Sequence, residues 1–194
     1  MDLTTAVVLA GGKSRRMGRD KLELMLEEGS LLESVINRFK EEFDDVYLSV
    51  ADINKYSNIT IPRIVDILPG AGPLSGLHAT LKSLPGEGAF LVAADLPYAC
   101  PKAAKRIIEL CGEKAACLIK LTDGKLEPLF GYYKKTLLPQ CEAAIESGEY
   151  RMTELIYNSD TRLISPLELG ELLGERIIFN INYPEDYERL SKGL

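Results

Sequence analysis

The run Val7-Val8-Leu9-Ala10 ends abruptly at Gly11-Gly12, and Lys13-Ser14-Arg15-Arg16-Met17-Gly18-Arg19-Asp20-Lys21 follows. A short apolar run bounded by a turn signal reads as a buried strand. The chain must therefore build a sheet whose first strand empties into a glycine-rich, cationic loop. Gly11 and Gly12 lack a β-carbon, so their N–H groups can approach an anion closely. Successive N–H groups in such a turn form an anion-binding concavity. Arg15, Arg16, Arg19 and Lys21 place four positive charges within seven residues. Together these features make a phosphate cradle; the plainer reading is a glycine turn followed by solvated basic residues. Two familiar phosphate loops are excluded. A P-loop ending in Gly12-Lys13-Ser14 needs glycine where Val7 stands. The dinucleotide fingerprint fails because Gly11 and Gly12 are adjacent and the next glycine is Gly18.

Strand and helix patterns alternate beyond that loop. Ser30 with Glu33 predicts a capping box, and Leu31, Leu32, Val35, Ile36 and Phe39 give the helix behind it an apolar face. Further strands are predicted over 46–50, 63–67, 88–94 and 115–121. Leu74, Leu77, His78 and Leu81 fall at helical spacing, and Pro101 opens another helix that ends near Gly112. An apolar segment at 127–133 and a helix over 136–147 follow. This alternation argues for βαβ units and a mostly parallel sheet. In such sheets ligands bind outside the carboxyl ends of the strands. The residues expected to converge are those of the first loop, 49–52, 66–76 and Asp95.

A chain of 194 residues is most simply one domain, long enough for a substantial core. A net charge of −6 argues against generic attraction to nucleic acid. Positive charge is instead local to the first loop, which suits a small anionic ligand. Cys100, Cys111, Cys117 and Cys141 form no C-x-x-C pair, and the single histidine gives no Cys/His zinc pattern. They read as buried or free thiols in a reducing compartment. No apolar run approaches the roughly 20 residues of a membrane helix. Met1-Asp2-Leu3 lacks a signal-peptide layout, so a cytoplasmic protein without a membrane partner is expected.

Leu9-Ala10-Gly11-Gly12-x-Ser14-x-Arg16-Met17-Gly18-x-Asp20-Lys21 resembles the signature loop of nucleotidyltransferases that couple a nucleoside triphosphate to a phosphorylated acceptor. Within that nucleotide-diphospho-sugar transferase-like superfamily it most resembles the molybdenum cofactor guanylyltransferases, and the match extends from residue 5 to about 190. Gly72-Pro73-Leu74-Ser75-Gly76 resembles a segment typical of the guanylyl branch. The resemblance implies a three-layer α/β/α sandwich with a mostly parallel, Rossmann-like sheet. It also implies a nucleotide-binding half at about 1–100 and an acceptor half at about 101–194. The expected reaction is transfer of GMP from Mg²⁺·GTP to the phosphate of molybdopterin, with release of pyrophosphate. Molybdenum-insertion proteins or molybdoenzyme chaperones are the partners implied. A cytidylyl- or sugar-phosphate nucleotidyltransferase is the alternative within the superfamily, and a non-catalytic GTP-binding partner of molybdoenzymes is the alternative outside catalysis.

Roles follow from position and resemblance together. Asp95, closing an apolar strand within Asp95-x-Pro97-x-x-x-Pro101, is expected to hold Mg²⁺, which needs one or two carboxylates beside phosphates and waters. Lys21 and Arg16 are expected to clamp the triphosphate, and with Asp95 they form the expected catalytic set. Leu9, Ala10, Gly11, Gly12 and Ser14 match nucleotide-binding positions. Arg15 and Arg19 fall at variable positions and read as solvated; Asp20 reads as orienting the loop. Asp66 matches a nucleotide-contacting residue, with a turn-starting Asp before Pro69-Gly70 as the equal alternative. Ser49-Val50-Ala51-Asp52 stands where the family often carries a base-contacting Asn. His78 reads as a packed or half-exposed helix residue rather than a general base. Arg151 is expected either to hold the acceptor phosphate or to start a helix. Asn180 and Asn182, in a segment resembling the family's ending, are expected either to bond the pterin or to cap a last helix opened by Pro184; Tyr183 replaces the usual Thr there.

Overall fold

The structure, a computed structural model, describes residues 4–11, 20–26, 29–172, 179, 181 and 186. Its strands are β1 (Thr5–Leu9), β2 (Met25–Leu26), β3 (Gly29–Ser30), β4 (Asp45–Val50), β5 (Arg63–Val65), β6 (Gly88–Ala93), β7 (Ala116–Lys120), β8 (Leu126–Lys134) and β9 (Thr161–Ile164). Its α-helices are α1 (Leu31–Lys40), α2 (Pro73–Ser83), α3 (Pro101–Cys111), α4 (Leu138–Ser147) and α5 (Met152–Tyr157).

A seven-stranded sheet runs in the order β5-β4-β1-β6-β8-β7-β9. β5, β4, β1 and β6 are parallel, as are β7 and β9. β8 lies antiparallel between β6 and β7. From β1 the chain moves outward to β4 and β5, then returns across β1 to lay down β6. The order therefore reverses between β1 and β6, and a crevice opens at their carboxyl ends.

Each central strand is buried on both faces, which is why these segments read as unbroken apolar runs. Ala6, Val8, Phe90 and Val92 face a core completed by α1 and α3. Val7, Leu9, Ala89 and Leu91 face a second core completed by α2, α4 and α5. The period-two alternation of β-strand side chains produces this split, and the result is the expected three layers.

Local signals act where the sequence puts them. Ser30 caps α1, with its Oγ accepting from the Glu33 N–H while the Glu33 carboxylate accepts from Ser30 N at 2.8 Å. Pro73 and Pro101 occupy first-turn positions, and Gly112 ends α3 at φ 54°. Boundaries differ slightly from expectation: β5 stops at Val65, and the predicted 136–147 helix divides into a 3-10 turn, Lys135–Leu137, followed by α4. Three elements carry no periodic signal strong enough to be read from sequence. These are the two-residue strands β2 and β3 and the edge strand β9.

Candidate active site at the β1–β6 crevice

Two sheet bonds at the crevice fix the site. Ala94 N donates to the Leu9 carbonyl at 3.1 Å, and Ala10 N donates to the Ser49 carbonyl at 2.9 Å. The ends of β1, β4 and β6 are thereby held side by side, and Asp95 emerges next to the start of the glycine loop. A β-carbon placed on the exposed Gly11 would meet no atom of the described residues within 4 Å.

Lys21, 74 residues before Asp95, reaches the same point. Its Nζ donates to Asp95 Oδ2 at 2.5 Å and to the Ile181 carbonyl at 2.8 Å. Ile181 N in turn donates to the Asp95 carbonyl at 3.1 Å. The lysine and aspartate side chains are 17% and 21% exposed, which leaves both accessible from solvent but sheltered enough for their charges to matter. The helix that follows Asp95 is capped from Cys100, so Asp95 is not an N-cap. Asp20 is the N-cap of the 3-10 turn that begins with Lys21. Its Oδ1 caps the 3-10 turn Lys21–Glu23, and its Oδ2 accepts from the Tyr56 hydroxyl at 2.8 Å and Lys55 Nζ at 2.9 Å. Burial pushes the Asp20 carboxyl up, but hydrogen bonds from Lys55, Tyr56 and the Leu22 N–H outweigh it and hold the group below its ordinary value.

The Gly72-Pro73-Leu74-Ser75-Gly76 segment does positional work. Gly72 precedes α2 at φ 60°, a left-handed value that favours glycine. Buried Ser75 ties the loop back on itself: its Oγ donates to the Leu68 carbonyl at 2.7 Å and accepts from Ala71 N at 3.0 Å. A β-carbon at Gly76 would collide with Leu9 Cδ2 and stand 3.0 Å from Ser49 Oγ. With no β-carbon there, α2 packs closely on the ends of β1 and β4 without displacing the end of the Leu9 side chain.

Asp66 leaves β5 with its N–H donating to the Val50 carbonyl at 3.2 Å. The turn chemistry in this loop comes from Ser75 rather than from the Asp66 carboxylate. Burial raises the Asp66 carboxyl above its ordinary value. The native state thus binds this proton more tightly than the unfolded chain, and stability falls as pH rises from the unfolded value through the native one. Above that window the full cost is in place. Asp66→Asn is accordingly expected to raise the thermal midpoint at pH 7 by about a degree or two. A lower midpoint in a calorimetric scan would contradict it.

Other expected residues sit as follows. Asp52 closes a turn by accepting from Asn54 N at 2.9 Å, which is the use this chain makes of the segment lacking the Asn. His78 is fully buried in α2, with Nε2 3.4 Å from Glu142 Oε1. Arg151 is the residue preceding α5; it is 68% exposed and paired with Glu149 at 2.8 Å and Glu154 at 3.5 Å. Gly12, Ser14, Arg15, Arg16, Arg19, Asn180, Asn182 and the helix expected after Pro184 lie outside the described residues, apart from Asp186.

This site lies at the switch point of an α/β sheet and brings a lysine and a carboxylate together beside Gly11. A family model described as the MobA-like NTP transferase domain matches residues 6–162. The chain belongs to that family. It is therefore a nucleotidyltransferase. A "Probable molybdenum cofactor guanylyltransferase" of Carboxydothermus hydrogenoformans is 31% identical over 193 residues, covering 99% of this chain and 97% of its own. Another so named, from Methanosarcina mazei, is 31% identical over 199 residues, with 96% and 89% covered. The crystal structure of molybdopterin-guanine dinucleotide biosynthesis protein A from Archaeoglobus fulgidus superposes with a TM-score of 0.86 at 26% identity, covering 97% of each chain.

Membership makes a divalent cation relevant, and the donor set can be tested for one. Among the described residues no group of three or more His, Cys, Asp or Glu could hold a metal on its own. A single accessible carboxylate at Asp95 fits an ion such as Mg²⁺ that takes most of its ligands from phosphates and water. It does not fit a metal needing an all-protein cage. No helix among the described residues is long and apolar enough to cross a membrane.

Proposed function

We propose that the chain transfers GMP from GTP to the phosphate of molybdopterin, forming the guanine dinucleotide of the cofactor and pyrophosphate. The observation that carries this reading is the meeting of Lys21 and Asp95 at the open end of β1. The family's chemistry brings together two anions, a polyphosphate and an acceptor phosphate, so the barrier is largely electrostatic and positional. A phosphate acceptor is already anionic at neutral pH, and no general base is required. This agrees with His78 being packed away between α2 and α4.

In this reading main-chain groups around Ala10 and Gly11 bind the nucleotide, with Gly12 and Ser14 continuing the loop and Asp66 facing the nucleoside. Lys21 exchanges Asp95 for triphosphate oxygens, a move its long flexible stem permits. Arg16 joins it as a second clamp. Asp95, released from the ion pair, is the residue that would hold Mg²⁺, and the ion would supply neutralisation of phosphate charge. The acceptor lies toward the second half of the chain, near Arg151, Asn180 and Asn182. Ile181, between the two Asn residues, is bonded to both Lys21 and Asp95, which supports an acceptor segment adjoining the catalytic pair. Guanine preference is supported by the names of the relatives and by the Gly72–Gly76 motif.

The test is incubation with each nucleoside triphosphate, Mg²⁺ and molybdopterin, reading pyrophosphate release. GTP is expected to support turnover well above CTP, ATP and UTP, and the product to be the guanine dinucleotide. A preference for CTP would move the chain to the cytidylyl branch. Binding of GTP without any pyrophosphate release would replace catalysis with a carrier role.

A further inference from the structure

Tyr56 is the one non-glycine residue among those described with positive φ, at 54°. A bulky side chain rarely adopts that conformation, and it persists only where the surroundings over-determine it. Here Arg63 does so. From the first position of β5 its guanidinium donates to the carbonyls of Ile53, Lys55 (3.0 Å), Tyr56 (2.5 Å) and Ile59 (3.2 Å). One rigid fork thus gathers the loop between β4 and β5 and turns the Tyr56 ring inward, where it is buried. The phenol then donates to Asp20 Oδ2 at 2.8 Å. Lys55 Nζ reinforces the contact, lying 3.1 Å from the Tyr56 oxygen, 2.9 Å from Asp20 Oδ2 and 4.8 Å from the ring centroid. Asp20 caps the turn whose first residue is Lys21.

We propose that Tyr56, held by Arg63, is a positioning residue for Lys21: it anchors Asp20, fixes the 3-10 turn and so aims the ammonium at the nucleotide phosphates. Neither side chain is assigned a role by the family resemblance. The inference rests on the proposed GTP-binding role of Lys21. Burial pushes the Tyr56 phenol up to about 12, so it stays a protonated donor at working pH. A loop after β4, far along the chain from the first loop, thereby sets where the clamp lysine begins.

The experiment is a GTP titration by calorimetry, with Mg²⁺, on wild type, Tyr56→Phe, Lys21→Ala and the double variant, with thermal midpoints recorded for each. Tyr56→Phe is expected to weaken GTP binding about tenfold in the wild-type background, since a hydrogen bond to a charged group is lost, and less than twofold in the Lys21→Ala background. In turnover its effect falls on KM for GTP more than on kcat. Arg63→Gln, a second route to the same disorder, is expected to show the same dependence on Lys21. Equal losses with and without Lys21, or no loss in a folded Tyr56→Phe, would overturn the positioning role while leaving the GTP reading intact. Failure of the wild type to bind GTP would overturn both.

Discussion

Lys21→Ala is expected to raise the GTP concentration for half-maximal turnover by roughly 10- to 100-fold, because a charge-assisted bond to phosphate contributes about 1.5–3 kcal/mol. The figure is not larger because the ammonium already has protein partners, with Asp95 at 2.5 Å and the Ile181 carbonyl at 2.8 Å. Binding exchanges those partners rather than creating them from water. The same contacts mean that the substitution is not silent in stability. An exposed loop lysine would contribute almost nothing, and that is what its place in a glycine-rich loop suggests. Its side chain is only 17% exposed, and its removal leaves a sheltered carboxylate without this ammonium. A drop of a few degrees in thermal midpoint is therefore expected beside the kinetic loss. Lys21→Arg should restore part of the stability, since the charge remains, but less of the GTP affinity, since the planar fork cannot reproduce a compact point charge. Steady-state kinetics with GTP as the varied substrate checks the first claim and scanning calorimetry the second. Wild-type KM in Lys21→Ala would remove the residue from the nucleotide site.

The meeting of Lys21 and Asp95 was legible because two strong local signals sit at strand ends. Val7 to Ala10 and Phe90 to Ala94 are apolar without interruption, and in a parallel sheet such runs must be central and must place whatever follows them at one edge. Capping chemistry was equally plain at Ser30-x-x-Glu33 and at Pro101. Less could be read where structure depends on contacts distant in sequence. β8 shows the same apolar character whether it runs parallel or antiparallel, so its reversal between β6 and β7 has no signature of its own. β2 and β3 are too short for any period to register, and β9 is an edge strand carrying Arg162 among its four residues. The Tyr56–Arg63 clamp had no motif to announce it: a tyrosine in a polar stretch and an arginine opening a strand are ordinary, and the left-handed backbone joining them is not a property of either. Ser75 is the intermediate case. Its motif was recognisable, but its job of tying residue 68 to residue 71 appears only once the loop is seen closed around its hydroxyl.

Asp95→Asn is expected to reduce kcat by about a hundred- to a thousandfold, the scale on which loss of a preorganised electrostatic group is felt, while GTP binding in the absence of divalent metal becomes tighter rather than weaker. The two effects have one cause. The Asp95 carboxylate holds the Lys21 ammonium and adds negative charge beside the place where, in the proposed function, a polyphosphate must lie. A neutral amide of the same shape relaxes both constraints: its oxygen still accepts from Lys21, but the attraction is smaller and the repulsion of phosphate is gone. With Mg²⁺ present the order reverses, because the variant has lost the carboxylate that would share the ion with the phosphates. Wild-type affinity should therefore rise on adding Mg²⁺ and the variant's should change little, so that the two binding curves cross. Thermal stability should fall only modestly, since the substitution keeps the volume and the Ile181 N–H bonds the Asp95 main-chain carbonyl, not its side chain. A purely structural Asp95 predicts a different pattern, with lower midpoint, parallel losses with and without metal, and residual turnover in proportion to folded protein. Full activity of Asp95→Asn, or activity that survives both the substitution and removal of divalent metal by a chelator, would exclude the carboxylate from the reaction.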